Sequence, residues 1–309
     1  MRPISKLMQD SLFTTELPLV NTDEELERVK KTYPDYDPYF IASGCIKERR
    51  EKFNNLWSQF KSLADDHFLS QIKKEFHERT WEMYIGCVLQ KFFTSVSSEN
   101  IGPDFILNKE KVDEIFIEVV ACRKGDSADA VPDMFAAEKP EDIIVQDVPH
   151  DKMLLRLSSS ITYKANKYKD FINTKNKPYV IAINKGALGC PDPQIPLALK
   201  CLFGLGYENF KQINGQLVYN GWTRREFIEK SNGEKISMIF FEKDENNFVS
   251  AIIYSPDNIL NAPDKIGSDC VLIHNPKARF PIDVKTFSFL EQWKTEYLGD
   301  RLEIKKIEP

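Results

Sequence analysis

The sequence predicts a mixed α/β (α+β) protein, in which helices pack against a sheet of parallel and antiparallel strands. Two observations indicate this fold class. Apolar residues recur at three- and four-residue intervals through residues 53–92, which is typical of helices that pack on a core. Apolar runs at residues 114–121 and 177–184 predict buried strands, and the helical pattern between them predicts a crossover connection within one mixed sheet.

The predicted elements divide the chain into three regions. Residues 1–75 form a helical extension, residues 76–190 an α/β core, and residues 191–309 a C-terminal α+β elaboration packed on the same core. The core consists of a helix at 77–92, a hairpin of strands at 104–107 and 114–121, a long loop at 122–151, a helix at 151–171 and a strand at 177–184. The C-terminal region adds a helix at 195–203, strands at 236–242, 248–254 and 270–274, and a final helix at 286–297.

Composition and charge exclude several classes of protein. The 309-residue chain is 42% hydrophobic and 29% charged, a balance typical of a globular protein with a substantial core. No apolar run approaches the roughly 18 residues of a membrane span, and no secretory signal is visible, so we expect a cytoplasmic protein without a membrane partner. The net charge of −5 argues against a protein that mainly coats nucleic acid. The six scattered cysteines and four histidines lack the spacings of a zinc site.

Three acidic residues occupy marked positions in the predicted core. Alternation along its strand places Glu118 on the same face as Phe116 and Val120. Because a carboxylate among apolar residues is costly to bury without a cation or donors, Glu118 is expected to face a cleft; the alternative is a sheet-edge glutamate paired with an arginine. Asp104 begins the neighbouring strand, in a Gly-Pro context that also suits a turn. Glu82 lies beside the apolar stripe of the preceding helix.

The helix at 151–171 carries a polar flank beside its apolar stripe. At about 100° per residue, Arg156, Ser160, Lys164 and Lys167 fall along one edge of the core-facing stripe. A row of cations that follows a strand with a carboxylate suits the binding of a phosphate or of developing negative charge. An ordinary solvated flank with extended lysine side chains is the alternative.

The order of these features along the chain resembles that of the PD-(D/E)xK, or restriction-endonuclease-like, superfamily. The features are Glu82, Asp104, Glu118 and then the helix with its cationic flank. The segments WEMY, GPDF and IE around the three acids are similar to those of an uncharacterised bacterial family within this superfamily, and the resemblance covers about residues 78–184. It implies a restriction-endonuclease-like core and a Mg²⁺- or Mn²⁺-dependent nuclease. Asp104 and Glu118 would bind the metal, with Glu82 bound directly or through water.

The sequence departs from the superfamily pattern at one position. Val120 stands where the superfamily has the lysine that orients water and stabilises charge. Lys164 on the adjacent helix is the expected replacement, with Lys124 as a second candidate, and Arg156, Ser160 and Lys167 would bind the substrate phosphate. The expected partner is nucleic acid, DNA rather than RNA. The alternative is a catalytically inactive nuclease-fold protein that binds nucleic acid or protein.

Overall fold

An eight-stranded mixed sheet forms the centre of the fold. The computed structural model describes residues 10–13, 17–99, 101–134, 145–190, 192, 195–298 and 301–307. Within them the strands are β1 (Val96–Ser97), β2 (Phe105–Leu107), β3 (Ile115–Ala121), β4 (Tyr179–Asn184), β5 (Leu205–Ile213), β6 (Gln216–Arg224), β7 (Phe227–Glu229), β8 (Lys235–Ser237), β9 (Ala251–Ser255), β10 (Val271–His274), β11 (Glu291–Leu298) and β12 (Arg301–Ile307). The sheet runs in the order β1-β2-β3-β4-β9-β10-β11-β12, and β5–β6 and β7–β8 are separate hairpins.

Strand directions in the sheet agree with the predicted mixed class. β1, β2 and β3 are antiparallel neighbours, whereas β3, β4 and β9 are parallel. Farther along, β9–β10 and β11–β12 are antiparallel and β10–β11 is parallel. The mixed α/β fold class is therefore confirmed, and the C-terminal strands β9–β12 continue the same sheet. The three proposed region boundaries stay predictions.

Two helical layers cover the two faces of the sheet. The described residues contain α1 (Asp23–Thr32), α2 (Pro38–Cys45), α3 (Lys47–Phe60), α4 (Phe68–Gln71), α5 (Phe76–Phe92), α6 (His150–Lys175) and α7 (Leu197–Phe203). One apolar core lies between α1–α5 and the sheet, and the second lies between α6, α7 and the opposite face. None of the helices in this described part of the chain has the length and hydropathy that crossing a bilayer requires.

Alternation along β3 divides its residues between these two cores. Ile117 and Val119 belong to the core of the N-terminal helices, and Phe116 belongs to the core beneath α6. Glu118 therefore faces α6, as the alternation predicted. On the other face, α5 approaches the sheet closely at Gly86, where an added Cβ would lie 3.3 Å from the ring of Phe105.

The C-terminal region departs most from the predicted elements. The final helix predicted at 286–297 is wrong: a 3₁₀ turn at Val284–Phe287 is followed by strand β11. Because β11 pairs with β10 on one side and with β12 on the other, tertiary pairing outweighs the local helical preference. The long β5–β6 hairpin was not predicted, and the strand predicted at 236–242 is confined to β8 and followed by a 3₁₀ turn at Phe240–Glu242.

Candidate functional site

A polar cleft of about 480 Å³ opens between α5 and α6, beside the C-terminal half of β3. It exists because β2 is short: the last β2–β3 partners are Phe105 and Ile117, so β3 has an open edge beyond Ile117. The Asp104 carboxylate occupies that edge and accepts a hydrogen bond of 2.7 Å from the Val119 N–H through Oδ2. A side chain thus replaces the missing backbone partner, and a carboxylate stays at the edge of the cleft.

Glu118 lies beneath the cleft lining, with none of its side chain exposed. Its Oε1 accepts a hydrogen bond from Lys164 Nζ, and Lys167 Nζ lies 4.0 Å from the same oxygen. Burial, followed by the nearby Asp104 charge, raises the pKa of Glu118 to about 8 despite these two lysines. Lys164 lines the cleft whereas Glu118 does not, so the ammonium group covers the carboxylate from the solvent side.

The second oxygen of Glu118 has no hydrogen-bond partner. Oε2 is fully buried and makes no hydrogen bond of normal geometry, although the Tyr168 hydroxyl lies close to the Glu118 carboxylate. The pKa of Tyr168 is raised by burial, by the Glu118 charge and by its contact with this carboxylate. An unsatisfied buried carboxylate oxygen costs free energy, because it has lost its hydration without gaining a donor. Such atoms are uncommon in stable cores, and this one indicates a site that another group can complete.

The α5 wall of the cleft carries Glu82 beside Arg79. Arg79 Nη1 lies 2.6 Å from Glu82 Oε2 and 3.3 Å from Asp65 Oδ2, so the guanidinium group joins two carboxylates. Burial and the Asp104 charge nevertheless raise the pKa of Glu82 to about 7. The adjacent Trp81 donates its indole N–H to the Ala182 carbonyl at 3.0 Å, which fixes α5 against β4 and holds Glu82 at the cleft.

The α6 wall carries the predicted cationic residues. Arg156, Ser160, Lys164 and Lys167 all line the cleft, one helical turn after another. The Arg156 Nε atom is buried and has no hydrogen-bond partner. Its guanidinium group lies against Gly125, whose φ of +81° and missing Cβ leave it room, since an added Cβ would overlap it. Ser160 Oγ accepts a weak hydrogen bond of 3.7 Å from the buried Cys122 thiol.

The structure brings most of the predicted site residues into this one cleft. Asp104, Glu82 and the four α6 residues line it, and Glu118 lies directly beneath. The second lysine candidate does not take part: Lys124 pairs with Asp133 and lines an adjoining cavity instead. The side chain of Val120 lines the cleft without adding a charge. Part of the predicted long loop, residues 135–144, lies outside the described residues.

Several residues that line the cleft were not predicted as part of the site, among them Arg79, Arg123 and Tyr163. Arg79 was not recognised, although its spacing of three residues from Glu82 on one helix could have identified it. Arg123 pairs with Glu78 at 2.9 Å and also approaches Glu75, a contact between distant segments that no local pattern predicts. Tyr163, one position before Lys164, is 67% exposed at the rim of the cleft.

The donor set suits a hard divalent cation only in part. Asp104 and Glu118 supply carboxylate oxygens, the ligands that Mg²⁺ and Mn²⁺ prefer, and one of those oxygens is unpaired. Among the described residues, no three histidine, cysteine, aspartate or glutamate side chains converge closely enough to hold a metal. Mg²⁺ commonly binds through one or two carboxylates together with water and substrate phosphate, so two carboxylates are compatible with such a site.

Comparisons with protein-family models, with curated proteins and with solved structures found no match to this chain.

Proposed function

We propose that the protein is a Mg²⁺- or Mn²⁺-dependent nuclease whose active site is the cleft between α5 and α6. The observation that carries the proposal is the buried Glu118, with one oxygen paired to Lys164 and the other unpaired, next to Asp104. A structural ion pair is stable when all its polar atoms are satisfied, and this one is incomplete. Incomplete charge pairs with raised pKa values are typical of functional sites.

The order of elements supports a restriction-endonuclease-like core. A helix (α5), an antiparallel three-stranded unit (β1–β3), a crossover helix (α6) and a strand parallel to β3 (β4) follow one another, with the acids on α5, before β2 and within β3. We propose that this unit is the nuclease core implied by the sequence resemblance. In that arrangement Asp104 and Glu118 would hold the metal, and Glu82, which does not converge with them, would contribute through water.

Bound by these carboxylates, Mg²⁺ or Mn²⁺ would activate water and polarise the scissile phosphate. The protein contributes positive charge from α6: Arg156 and Lys167, with the Ser160 hydroxyl, hold the phosphate. Lys164 takes the place of the lysine that Val120 cannot supply, and its ammonium group stabilises negative charge that develops during cleavage. Since Lys164 pairs with Glu118 from the cleft side, its ammonium group would have to leave this carboxylate before a cation could reach Glu118.

Two observations favour a second function. The described residues hold no preassembled set of three metal-ligating side chains, and Val120 removes the usual lysine. A catalytically inactive nuclease fold that binds nucleic acid or protein would have these features. In that case Lys164 and Arg79 would be permanent partners of Glu118 and Glu82, and the cleft would bind without cleaving.

Cleavage assays on a panel of phosphodiesters separate the two functions. Single-stranded DNA, duplex DNA, RNA and bis(p-nitrophenyl) phosphate are incubated with the full chain in Mg²⁺, Mn²⁺ or EDTA. We expect metal-dependent cleavage of at least one nucleic acid, DNA before RNA, and its loss in the D104N/E118Q double variant. The nuclease proposal would be contradicted if none of the substrates were cleaved, or if the double variant cleaved as well as the wild type.

A further inference from the structure

The two walls of the cleft carry opposite charge. On the α6 wall, Arg156, Lys164 and Lys167 supply three cations, and no acidic side chain of α6 lines the cleft. On the α5 wall, three glutamates (Glu75, Glu78 and Glu82) line the cleft. The arginines near them, Arg79 and Arg123, are already engaged by these glutamates. Lys164 and Lys167 share a single carboxylate, Glu118, so the α6 wall keeps an excess of positive charge. On the α5 side the three glutamates outnumber the two arginines, so this wall has a smaller excess of negative charge.

This asymmetry is unsuited to a duplex. Double-stranded nucleic acid presents phosphates on two strands, and its affinity for proteins comes mainly from cations that neutralise them. A duplex placed across the cleft would bring its second strand toward the glutamates of α5. The volume of about 480 Å³ is that of a site for a small ligand, in the range where a nucleotide or two is enclosed. A single backbone that follows α6 avoids the acidic wall.

An unpaired aromatic ring lies beside the cations. Tyr163 is 67% exposed and lines the cleft, on the same flank of α6 as Ser160 and Lys167. Its neighbours Ile161 and Ala165 are fully buried and supply the packing of this turn, so the helix does not need Tyr163 for its stability. A large exposed ring next to a row of cations is the arrangement by which proteins hold unpaired bases, through stacking along a charged groove.

Resting on the proposed nuclease function, we propose that the substrate is single-stranded nucleic acid and that Tyr163 stacks on one of its bases. The backbone runs along α6 over Arg156, Lys164 and Lys167, and the base next to the scissile phosphate lies against the Tyr163 ring. Stacking requires a base that is free of its complement, so duplex ends and internal duplex are poor ligands. Tyr163 is a binding residue and takes no part in the chemical step.

Binding of short oligonucleotides tests this assignment. A 12-nucleotide DNA strand with one 2-aminopurine, the same strand in RNA, and their duplexes are titrated with the full chain in Ca²⁺, by anisotropy and by 2-aminopurine fluorescence. We expect each single strand to bind at least about tenfold more tightly than its duplex, with the fluorescence quenched by stacking. We expect Y163A to weaken single-strand binding by about tenfold or more and to abolish the quenching.

Two variants serve as controls. Y163F keeps the ring and should bind within twofold of wild type. Y207A removes another tyrosine that is 75% exposed, in a separate cavity beside the N-terminus of α6, and should also leave binding unchanged. Duplex binding as tight as single-strand binding, or Y163A equal to Y163F, would overturn this inference while leaving the nuclease proposal intact. Absence of both binding and cleavage for every nucleic acid would overturn both.

Discussion

Two buried lysine–carboxylate pairs lie near the C-terminal ends of neighbouring parallel strands, and they differ in completeness. Beside β3, Lys164 pairs with Glu118, which keeps an unpaired oxygen under a cleft. Directly after β4, the side chain of Lys185 is fully buried. Its Nζ lies 3.2 Å from Asp192 Oδ1 and also donates a hydrogen bond to the Cys190 carbonyl. Asp192 in turn accepts hydrogen bonds from Tyr254 Oη at 2.8 Å and from the Leu197 N–H at 2.9 Å.

The comparison separates a structural ion pair from a functional one. The Lys185–Asp192 pair satisfies its hydrogen-bonding groups, so it fixes the chain after β4 at a moderate net cost of desolvation. In the Lys164–Glu118 pair, one carboxylate oxygen has lost its hydration without gaining a hydrogen bond, so part of the desolvation cost is not offset. The pKa values of Glu118 and of the nearby Glu82 are both raised. Stability alone does not explain a carboxylate held in this way, and this contrast is the reason for our proposal that Glu118 binds a cation.

The largest expected effect is on activity, from E118Q. This substitution removes the negative charge but keeps the shape of the side chain, so we expect cleavage to fall by more than roughly 10³-fold. The free energy of unfolding should stay near that of wild type, because the buried charge was costly in the folded protein. Initial rates of cleavage and urea denaturation measure the two quantities. Retained activity would remove Glu118 from the mechanism.

The complementary variant, K185M, should act on stability instead. Removing the fully buried Lys185 leaves Asp192, which is 12% exposed, without its cation, and this costs about 3–5 kcal/mol. The exposed Lys230–Glu234 pair provides a control, and K230M should cost at most about 0.5 kcal/mol. Urea denaturation of both variants measures the difference, and the activity per folded molecule of K185M should match wild type. A stability loss from K185M as small as that from K230M would remove the contrast between the two pairs.

Substitution of the relocated lysine should lower turnover and spare metal binding. K164M removes the ammonium group that stabilises developing charge, so we expect a loss of about 10²–10³-fold in kcat. Because it also uncovers Glu118, the affinity for Mn²⁺ should be equal to wild type or higher. K124M, which removes a lysine that pairs with Asp133 away from the cleft, should change kcat less than twofold. Equal effects of K164M and K124M would assign no catalytic role to Lys164.

A glycine substitution tests the placement of Arg156 without changing its charge. A Cβ in G125A would overlap the guanidinium group, and we expect kcat/KM to fall by about 10–100-fold as the group is displaced. G233A is the control. Gly233 has a closely similar φ of +83° but no neighbour within 4 Å, so its substitution introduces the same backbone strain without a steric overlap. Matching activities in the two variants would mean that the position of Arg156 is unimportant.

The last prediction concerns the pH dependence of stability. The raised pKa values, about 8 for Glu118 and about 7 for Glu82, mean that the folded protein holds protons that the unfolded chain has released. The free energy of unfolding therefore decreases as pH rises from about 4.5 to about 8 in the absence of divalent cations. E118Q and E82Q should each flatten this slope, whereas the exposed E234Q should not. A slope in E118Q as steep as in wild type would contradict the assignment.

Local patterns in the sequence predict the site better than the periphery of the fold. Alternation identified the face of Glu118, and helical spacing identified the flank of α6 with Lys164, because both depend on repeats within a single element. The role of Asp104 at the open edge of β3 depends on where β2 ends, which is a property of pairing. The β5–β6 hairpin and strand β11 depend on partners distant in sequence, and a helical pattern at 286–297 could not reveal them.

Calorimetric titration of Mn²⁺ into the wild-type chain and into the D104N/E118Q double variant tests the central claim most directly. We predict that the wild type binds one Mn²⁺ with micromolar to low-millimolar affinity. The titration is made on the protein alone and on its complex with a phosphorothioate oligonucleotide, and binding is expected in at least the second. The double variant should lose this binding while keeping its fold, as judged by circular dichroism. Equal binding by both proteins, or no binding by the wild type even with the oligonucleotide present, would contradict the assignment of the cleft as a metal-dependent site.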